Sequence, residues 1–211
     1  MTTLLNEPLR GVLERLHANA AGDDRLGITV AEGATDQERA DALAEAYLPV
    51  SPEGGRLLYA LTRAARPQTV VEFGTSYGIS TLYLAAAVRD NGVGRVVTTE
   101  LSAVKVAAAR DNFVEAGVDD LVTVLAGDAL ETLAAVEGPI GVLLLDGWKG
   151  LYAPVLRLLE GRLAPGAVVV GDDSSFATVR PYLDYVREPA NGYVSVSFPI
   201  EDGMEISSRV S

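Results

Sequence analysis

The sequence contains no cysteine, which excludes a disulfide framework, a zinc–thiolate site and a thiol nucleophile. It has a single histidine, His17, and one histidine without partners argues neither for a metal centre nor for a catalytic dyad, so it is read as structural. No apolar run approaches membrane-spanning length. No basic-then-apolar leader stands at the start, where Thr2, Thr3 and Asn6 are polar and Glu7 is acidic, so a soluble, cytoplasmic protein is expected, with no membrane partner. Positive charge is also scarce. A formal net charge of −12 without a Lys/Arg cluster repels phosphate backbones and argues against a nucleic-acid partner. Only two lysines occur, Lys105 and Lys149, against fifteen arginines, so each lysine is a position to question.

What is present reads as one α/β domain. A chain of 211 residues can bury a full core without a second domain. Residues 1–47 are expected to be an N-terminal helical segment, covering substrate or contacting a second copy. Leu9, Val12, Leu13 and Leu16 keep a helical stripe, and Thr35 with Glu38 forms a capping box for a helix running to Tyr47. Ser51 and Pro52 open a further helix to Ala65. From residue 69 onward strands and helices alternate, with strands at 69–73, 95–100, 122–126, 140–146 and 167–171 and helices at 79–90, 102–116, 129–136, 154–162 and 180–186. The unbroken runs Val142 to Leu145 and Val168 to Val170 suit parallel strands buried on both faces. Val194, Val196, Phe198 and Ile200 alternate, Asp202 and Gly203 turn the chain, and Met204 and Ile206 alternate again, which predicts an antiparallel hairpin closing one sheet edge. The expected fold is therefore a Rossmann-like, doubly wound, mostly parallel sheet.

The stretch Thr69 to Thr81 carries the strongest local signal. A β-branched strand breaks into Gly74 and Gly78 and then into a helix, and Glu100 closes the following strand 22 residues after Gly78. An open α/β sheet holds an adenosine-containing cofactor in this way, with a carboxylate accepting hydrogen bonds from two ribose hydroxyls. Gly74 is expected to let the chain turn, and Gly78 to let the helix start lie close to the ligand. The spacing is E-x-G-x-x-x-G with Tyr77 inside it, unlike the G-x-G-x-x-G that admits a pyrophosphate. A nicotinamide dehydrogenase is disfavoured on that ground, and no Tyr-x-x-x-Lys precedes either lysine.

Ligands gather at the carboxyl ends of such strands, and five successive strands end near an acid: Glu72, Glu100, Asp128, Asp146, and the pair Asp172 and Asp173. Clustered carboxylates raise one another's pKa, and a hard divalent cation (magnesium, calcium or manganese) offsets that cost. The competing reading makes Asp172 a helix cap and leaves Asp173 in solvent. Lys149 follows Asp146 by three residues; beside a metal and a cationic cofactor its pKa is expected to fall, so that it can accept a proton. Trp148 is read as an adenine-stacking face, as a pocket wall or as filler beneath the loop. Tyr152 is read as more exposed and is assigned no role.

Taken together, the runs Leu48 to Leu58, Val71 to Ser80, Gly127 to Ala129, Leu145 to Tyr152, Gly171 to Asp173 and Ile200 to Ile206, with Glu100, resemble the catechol and caffeoyl-CoA O-methyltransferase group. These are small cation-dependent class I enzymes that use S-adenosylmethionine. The resemblance covers residues 48–211 and implies a seven-stranded methyltransferase domain there. It implies that Val50, Glu72, Gly74, Thr75 and Ser80 line the methionine and ribose part of the cofactor, that Glu100 holds the ribose hydroxyls, and that Asp128, Ala129 and Trp148 border the adenine. Asp146 would serve cofactor, metal and catalysis together, Asp172 and Asp173 would complete the divalent-cation site, and Lys149 would be the general base. S-adenosylhomocysteine would be the product, a small catechol-like or vicinal-diol phenol the acceptor, and a homodimer the assembly. One departure is visible: the family's usual asparagine is here Asp173, whose extra charge should tighten cation binding and weaken the cation's pull on a substrate hydroxyl. The rival functions are a metal-independent methyltransferase with an amine, carboxylate or lone hydroxyl acceptor, and a non-catalytic S-adenosylmethionine-binding protein.

Overall fold

Residue-by-residue alternation in the central strands sends side chains to two separate cores. Val70, Val142 and Leu144 face one side of the sheet, where they meet Leu9, Leu82, Leu84 and Phe113. Val71, Leu143 and Leu145 face the other, against Leu133, Leu156, Tyr182 and Val186. With both faces covered, the near-continuous apolar runs of these strands are accounted for.

The computed structural model describes residues 2–210. Its strands are β1 (Thr69–Phe73), β2 (Arg95–Glu100), β3 (Val122–Ala126), β4 (Ile140–Leu145), β5 (Leu163–Gly171), β6 (Tyr193–Phe198) and β7 (Met204–Arg209). They form one seven-stranded sheet in the order β3-β2-β1-β4-β5-β7-β6. The first five pair in parallel, and β7 runs antiparallel to both β5 and β6. The expected doubly wound sheet and terminal hairpin are both present. The helices are α1 (Leu9–Ala20), α2 (Asp36–Ala42), α3 (Pro52–Ala65), α4 (Ile79–Asn91), α5 (Ala103–Ala116), α6 (Ala129–Thr132), α7 (Tyr152–Leu159) and α8 (Arg180–Arg187). Among the described residues no helix is long and apolar enough to cross a membrane.

Strand order reverses between β1 and β4: the chain winds outward through β2 and β3 on one side of β1, then through β4 and β5 on the other. The crevice at the carboxyl ends of β1 and β4 is therefore the switch point at which such sheets take ligands.

Several boundaries differ from the sequence reading, each for a local reason. The capping box of α2 forms as expected, yet the helix stops at Ala42 instead of reaching Tyr47. Past it, the Ala44 carbonyl accepts from the Tyr77 hydroxyl (2.9 Å), the Tyr47 carbonyl accepts from Ser76 Oγ (2.7 Å), and the Tyr47 ring stacks on Tyr77 at 4.0 Å. Those tertiary contacts hold residues 44–47 against the loop after β1 instead of in a further helical turn. The helix expected over 129–136 is one α turn followed by a 3₁₀ turn at 133–135. Strand β5 begins at Leu163 rather than 167, crossing Pro165 where its pairing with β4 is interrupted by a bulge, the place where a sheet tolerates proline.

Candidate active site

Register alone brings two of the carboxylates together. Phe73 of β1 pairs with Leu145 of β4, and Leu145 pairs with Gly171 of β5, so the residues one step beyond, Asp146 and Asp172, leave adjacent strands side by side. Both are pinned by bonds that extend the ladder: Asp146 N donates to the Phe73 carbonyl at 2.8 Å, and Asp172 N donates to the Leu145 carbonyl at 3.0 Å. Asp173 follows with φ 53°, a left-handed conformation that aspartate and asparagine tolerate better than most residues. Asp146, Asp172 and Asp173 each offer a carboxylate oxygen, all within 4.8 Å of one another. That spacing and an all-oxygen donor set fit a hard divalent cation. The capping alternative for Asp172 does not hold, since its side chain is buried with these carboxylates and the next helical turn begins only at Ala177.

The burial of this cluster has an electrostatic consequence. Desolvation pushes the Asp146 and Asp172 carboxyls well above the ordinary aspartate range, and repulsion from Asp173 on both and from Asp146 on Asp172 pushes them further. Lys149 is the counter-charge, with Nζ 2.6 Å from Asp173 Oδ2 and 3.4 Å from Asp146 Oδ1. Burial lowers its pKa, but the surrounding carboxylates outweigh burial and hold it above the ordinary lysine value; the lowering expected beside a metal and a cationic cofactor concerns the loaded site. Tyr152 is a correction. Far from exposed, it is fully buried, edge-on to Phe73 and Tyr182, and its hydroxyl accepts from Lys149 Nζ at 2.9 Å.

On the β1–β2 side the glycine loop is built from the backbone outward. Gly74 and Thr75 N–H groups both donate to the Thr99 carbonyl (3.3 and 3.1 Å), and Thr75 Oγ1 bonds Thr98 Oγ1 at 2.6 Å. Glu100 accepts from Ser76 N and Ser102 N, both at 2.8 Å, which fixes its carboxylate while leaving lone pairs free. Glu72 lies beneath the loop, fully buried, accepting from Ser80 Oγ (2.6 Å) and from the Thr81 hydroxyl, and burial pushes its carboxyl up to about 7. Gly78 does not act as the sequence reading expects. At φ 89°, a Cβ there would lie 2.4 Å from the Phe113 ring, so glycine serves helix packing at this position, which is not among the residues that line the site's cavity.

A cavity of about 360 Å³ joins the two halves. Of the residues expected from the sequence, Gly74, Glu100, Asp128, Ala129, Asp146, Trp148, Lys149 and Asp173 line it. Asp128 also caps α6, accepting from Leu130 N at 2.7 Å. Val50, Glu72, Thr75, Ser80 and Asp172 lie behind the walls, buried. Leu48, Ser76 and Leu101, overlooked by the sequence reading, also line the cavity, as do Asp36, Ala40 and Leu43 of α2, which lie in the segment expected to cover substrate or contact a second copy but were not named there. Lys105 also lines it and was noticed only for its rarity. The pattern of a short helix such as α2 does not tell which of its residues reach a pocket formed by strands that begin only at Thr69.

Comparison with known proteins agrees with this architecture. Residues 71–174 match the family described as "Methyltransferase domain". The chain is 33% identical over 159 residues to the catechol O-methyltransferase of Mycobacterium tuberculosis (strain ATCC 25618 / H37Rv), covering 75% of this chain and 69% of that protein. It is 30% identical over 140 residues to the catechol O-methyltransferase of Niastella koreensis, covering 63% of this chain and 62% of that protein, and so spans a little under two thirds of the length of that relative. Among solved structures, cofactor-bound Rv0187 from MTB is similar with a TM-score of 0.71 at 27% identity, over 90% of this chain and 94% of that one.

Proposed function

The chain belongs to the O-methyltransferase family of these relatives, and from that premise we propose that it transfers a methyl group from S-adenosylmethionine to one hydroxyl of a small catechol-like or vicinal-diol phenol. A divalent cation, magnesium by preference and calcium or manganese otherwise, would assist, and Lys149 would act as general base. The observation that carries this reading is the cluster of three carboxylates and one lysine, of which Asp146, Asp173 and Lys149 line the cavity that also contains Gly74 and Glu100.

Bound S-adenosylmethionine would supply an electrophilic methyl, and a cation on Asp146, Asp172 and Asp173 would supply the charge that brings a phenol, ordinarily near ~10, into reach of a base. The rest falls to the chain. Glu100 accepts ribose hydroxyls, and Gly74, without a Cβ, lets the cofactor loop close against the Asp146 backbone. Val50, Thr75 and Ser80 support that loop from behind, Glu72 lies beneath it, and Asp128, Ala129 and Trp148 border the adenine. Lys149 would take the substrate proton as the neutral amine, its own proton having left to solvent when Asp146 and Asp173 no longer need its charge, and Tyr152 would keep Nζ aimed at the rim. Ala40 and Leu43 of α2 cover the acceptor and exclude water, so alignment in a dry cleft does most of the work. A cytoplasmic homodimer belongs to the same reading, and sedimentation would decide the assembly.

One observation favours a second reading. Lys149 already neutralises Asp173 at 2.6 Å, as it would in a metal-independent methyltransferase with an amine, carboxylate or lone hydroxyl acceptor. The deciding experiment is methyl transfer to catechol with and without EDTA. Loss of turnover in chelator, restored by magnesium, supports the cation-assisted reading, and undiminished turnover moves the assignment to the second.

A further inference from the structure

Lys105 stands in the first turn of α5, whose N-cap Ser102 accepts from the Lys105 backbone N–H at 3.5 Å. That end of a helix carries partial positive charge, so a cation there is disfavoured. The residue is also only 5% exposed, and among the described residues its Nζ makes no hydrogen bond and no ion pair. An ammonium held largely away from bulk water without a partner is disfavoured, so the position is unfavourable on three counts as it stands. What surrounds it explains its aim. The ammonium lies 5.9 Å from the centroid of the Tyr77 ring, which is itself held by the stack on Tyr47, and the residue lines the cavity beside Glu100. Glu100 and Asp23 are the acids that act on it, neither within ion-pair distance, and Asp23 is engaged with Leu48 N at 2.8 Å.

We propose that Lys105 is the donor half of a ribose clamp whose acceptor half is Glu100. The proposal rests on the reading that the cavity takes an adenosine cofactor. A carboxylate only accepts and an ammonium only donates, whereas each ribose hydroxyl does both. With its protons given to Glu100, the diol keeps oxygen lone pairs that nothing else charged in this part of the cavity can fill. Lys105 fills them, and in doing so gains the partner that it lacks. It is a positioning residue: it holds the ribose against Glu100 and thereby sets where the sulfonium end of the cofactor lies.

The test is calorimetric titration of S-adenosylhomocysteine and its 2′-deoxy and 3′-deoxy analogues into the parent and Lys105→Met. A hydrogen bond from a charged donor is worth about ten- to a hundred-fold in affinity. Lys105→Met should therefore bind S-adenosylhomocysteine at least about tenfold more weakly. One of the deoxy penalties should shrink by a similar factor, because the oxygen being removed no longer has its donor. That ratio is measured within each protein, so a loss of folded fraction does not mimic it. Should the Met variant fail to fold, Lys105→Gln keeps a donor of lower charge and should retain an intermediate penalty. Equal deoxy penalties in parent and variant overturn the assignment of Lys105 alone. Failure of the parent to bind S-adenosylhomocysteine overturns the cofactor reading with it.

Discussion

A Cβ placed on Gly74 would lie 2.6 Å from the carbonyl oxygen of Asp146, so the cofactor loop after β1 and the first carboxylate after β4 touch through their backbones. Gly74 also has φ 104°, where an L side chain is strained before any clash is counted. Gly74→Ala should destabilise the fold by about 2–4 kcal/mol, from the strain and the overpacking together. Because relief can come only by moving Asp146, magnesium affinity should fall along with S-adenosylhomocysteine affinity. Urea denaturation and the two titrations test this, and a variant that loses cofactor binding alone would uncouple the two halves of the site.

Lys149 is gripped by Asp173, Asp146 and Tyr152, and the three contacts can be separated. Lys149→Ala should keep S-adenosylhomocysteine affinity and lower kcat by about 10²–10⁴-fold, the usual worth of a general base. Tyr152→Phe keeps the edge-on packing against Phe73 and Tyr182 and removes only the acceptor, so its stability cost should be about 1 kcal/mol. Its kcat should fall without a change in KM for S-adenosylmethionine, and an unchanged kcat would make Tyr152 a packing residue only.

Asp173 combines a left-handed backbone with a charge, and two substitutions distinguish them. Asp173→Asn tolerates φ 53° and removes one negative charge, so the protein should fold normally and bind magnesium about tenfold or more weakly. Asp173→Ala loses the charge and meets the backbone strain as well, at about 1–2 kcal/mol. Magnesium titration and thermal denaturation of both variants would show whether charge or conformation selects aspartate here. Equal stability of the two would remove the conformational part.

The sheet and its acidic rim were legible because both rest on local rules. Val142 to Leu145 and Val168 to Val170 are apolar runs that only a doubly covered strand can use, and parallel register then sends Asp146 and Asp172 out side by side. The outer hairpin was only half legible. Alternation of Val194, Val196 and Phe198 suggests that these residues face a core, yet they are exposed at 66%, 59% and 42%. The opposite face of β6 carries Ser195 and Ser197, which bond Ser207 and the buried Glu205, itself paired with Arg187 of α8 at 2.7 Å. A charge-assisted network has displaced the apolar face here, and period-two reading cannot tell which face wins. Gly78 and Tyr152 escaped for a related reason: what each does depends on packing against residues distant in the chain, Phe113 for Gly78 and Phe73 with Tyr182 for Tyr152.

Glu72 makes the stability of this fold depend on pH in a direction opposite to that of an ordinary ion-paired acid. Its carboxyl titrates near 4.5 when solvated and at about 7 in the fold, because burial outweighs the hydroxyls of Ser80 and Thr81. Between those values the folded chain carries a proton that the unfolded chain has lost, so stability is fully present below about 4.5 and declines as pH rises through about 7. Over pH 5 to 8 the loss from this group is on the order of 2–3 kcal/mol. Asp146 and Asp172 titrate in the same sense, so the slope of the parent alone does not isolate Glu72. The difference between parent and Glu72→Gln does, since the amide is neutral throughout and the other acids are common to both. Urea midpoints at pH 5 and pH 8 in EDTA should therefore show a smaller loss in the variant. Equal losses would mean that Glu72 is ionised across the whole range, with hydroxyl donors alone sustaining a fully buried charge.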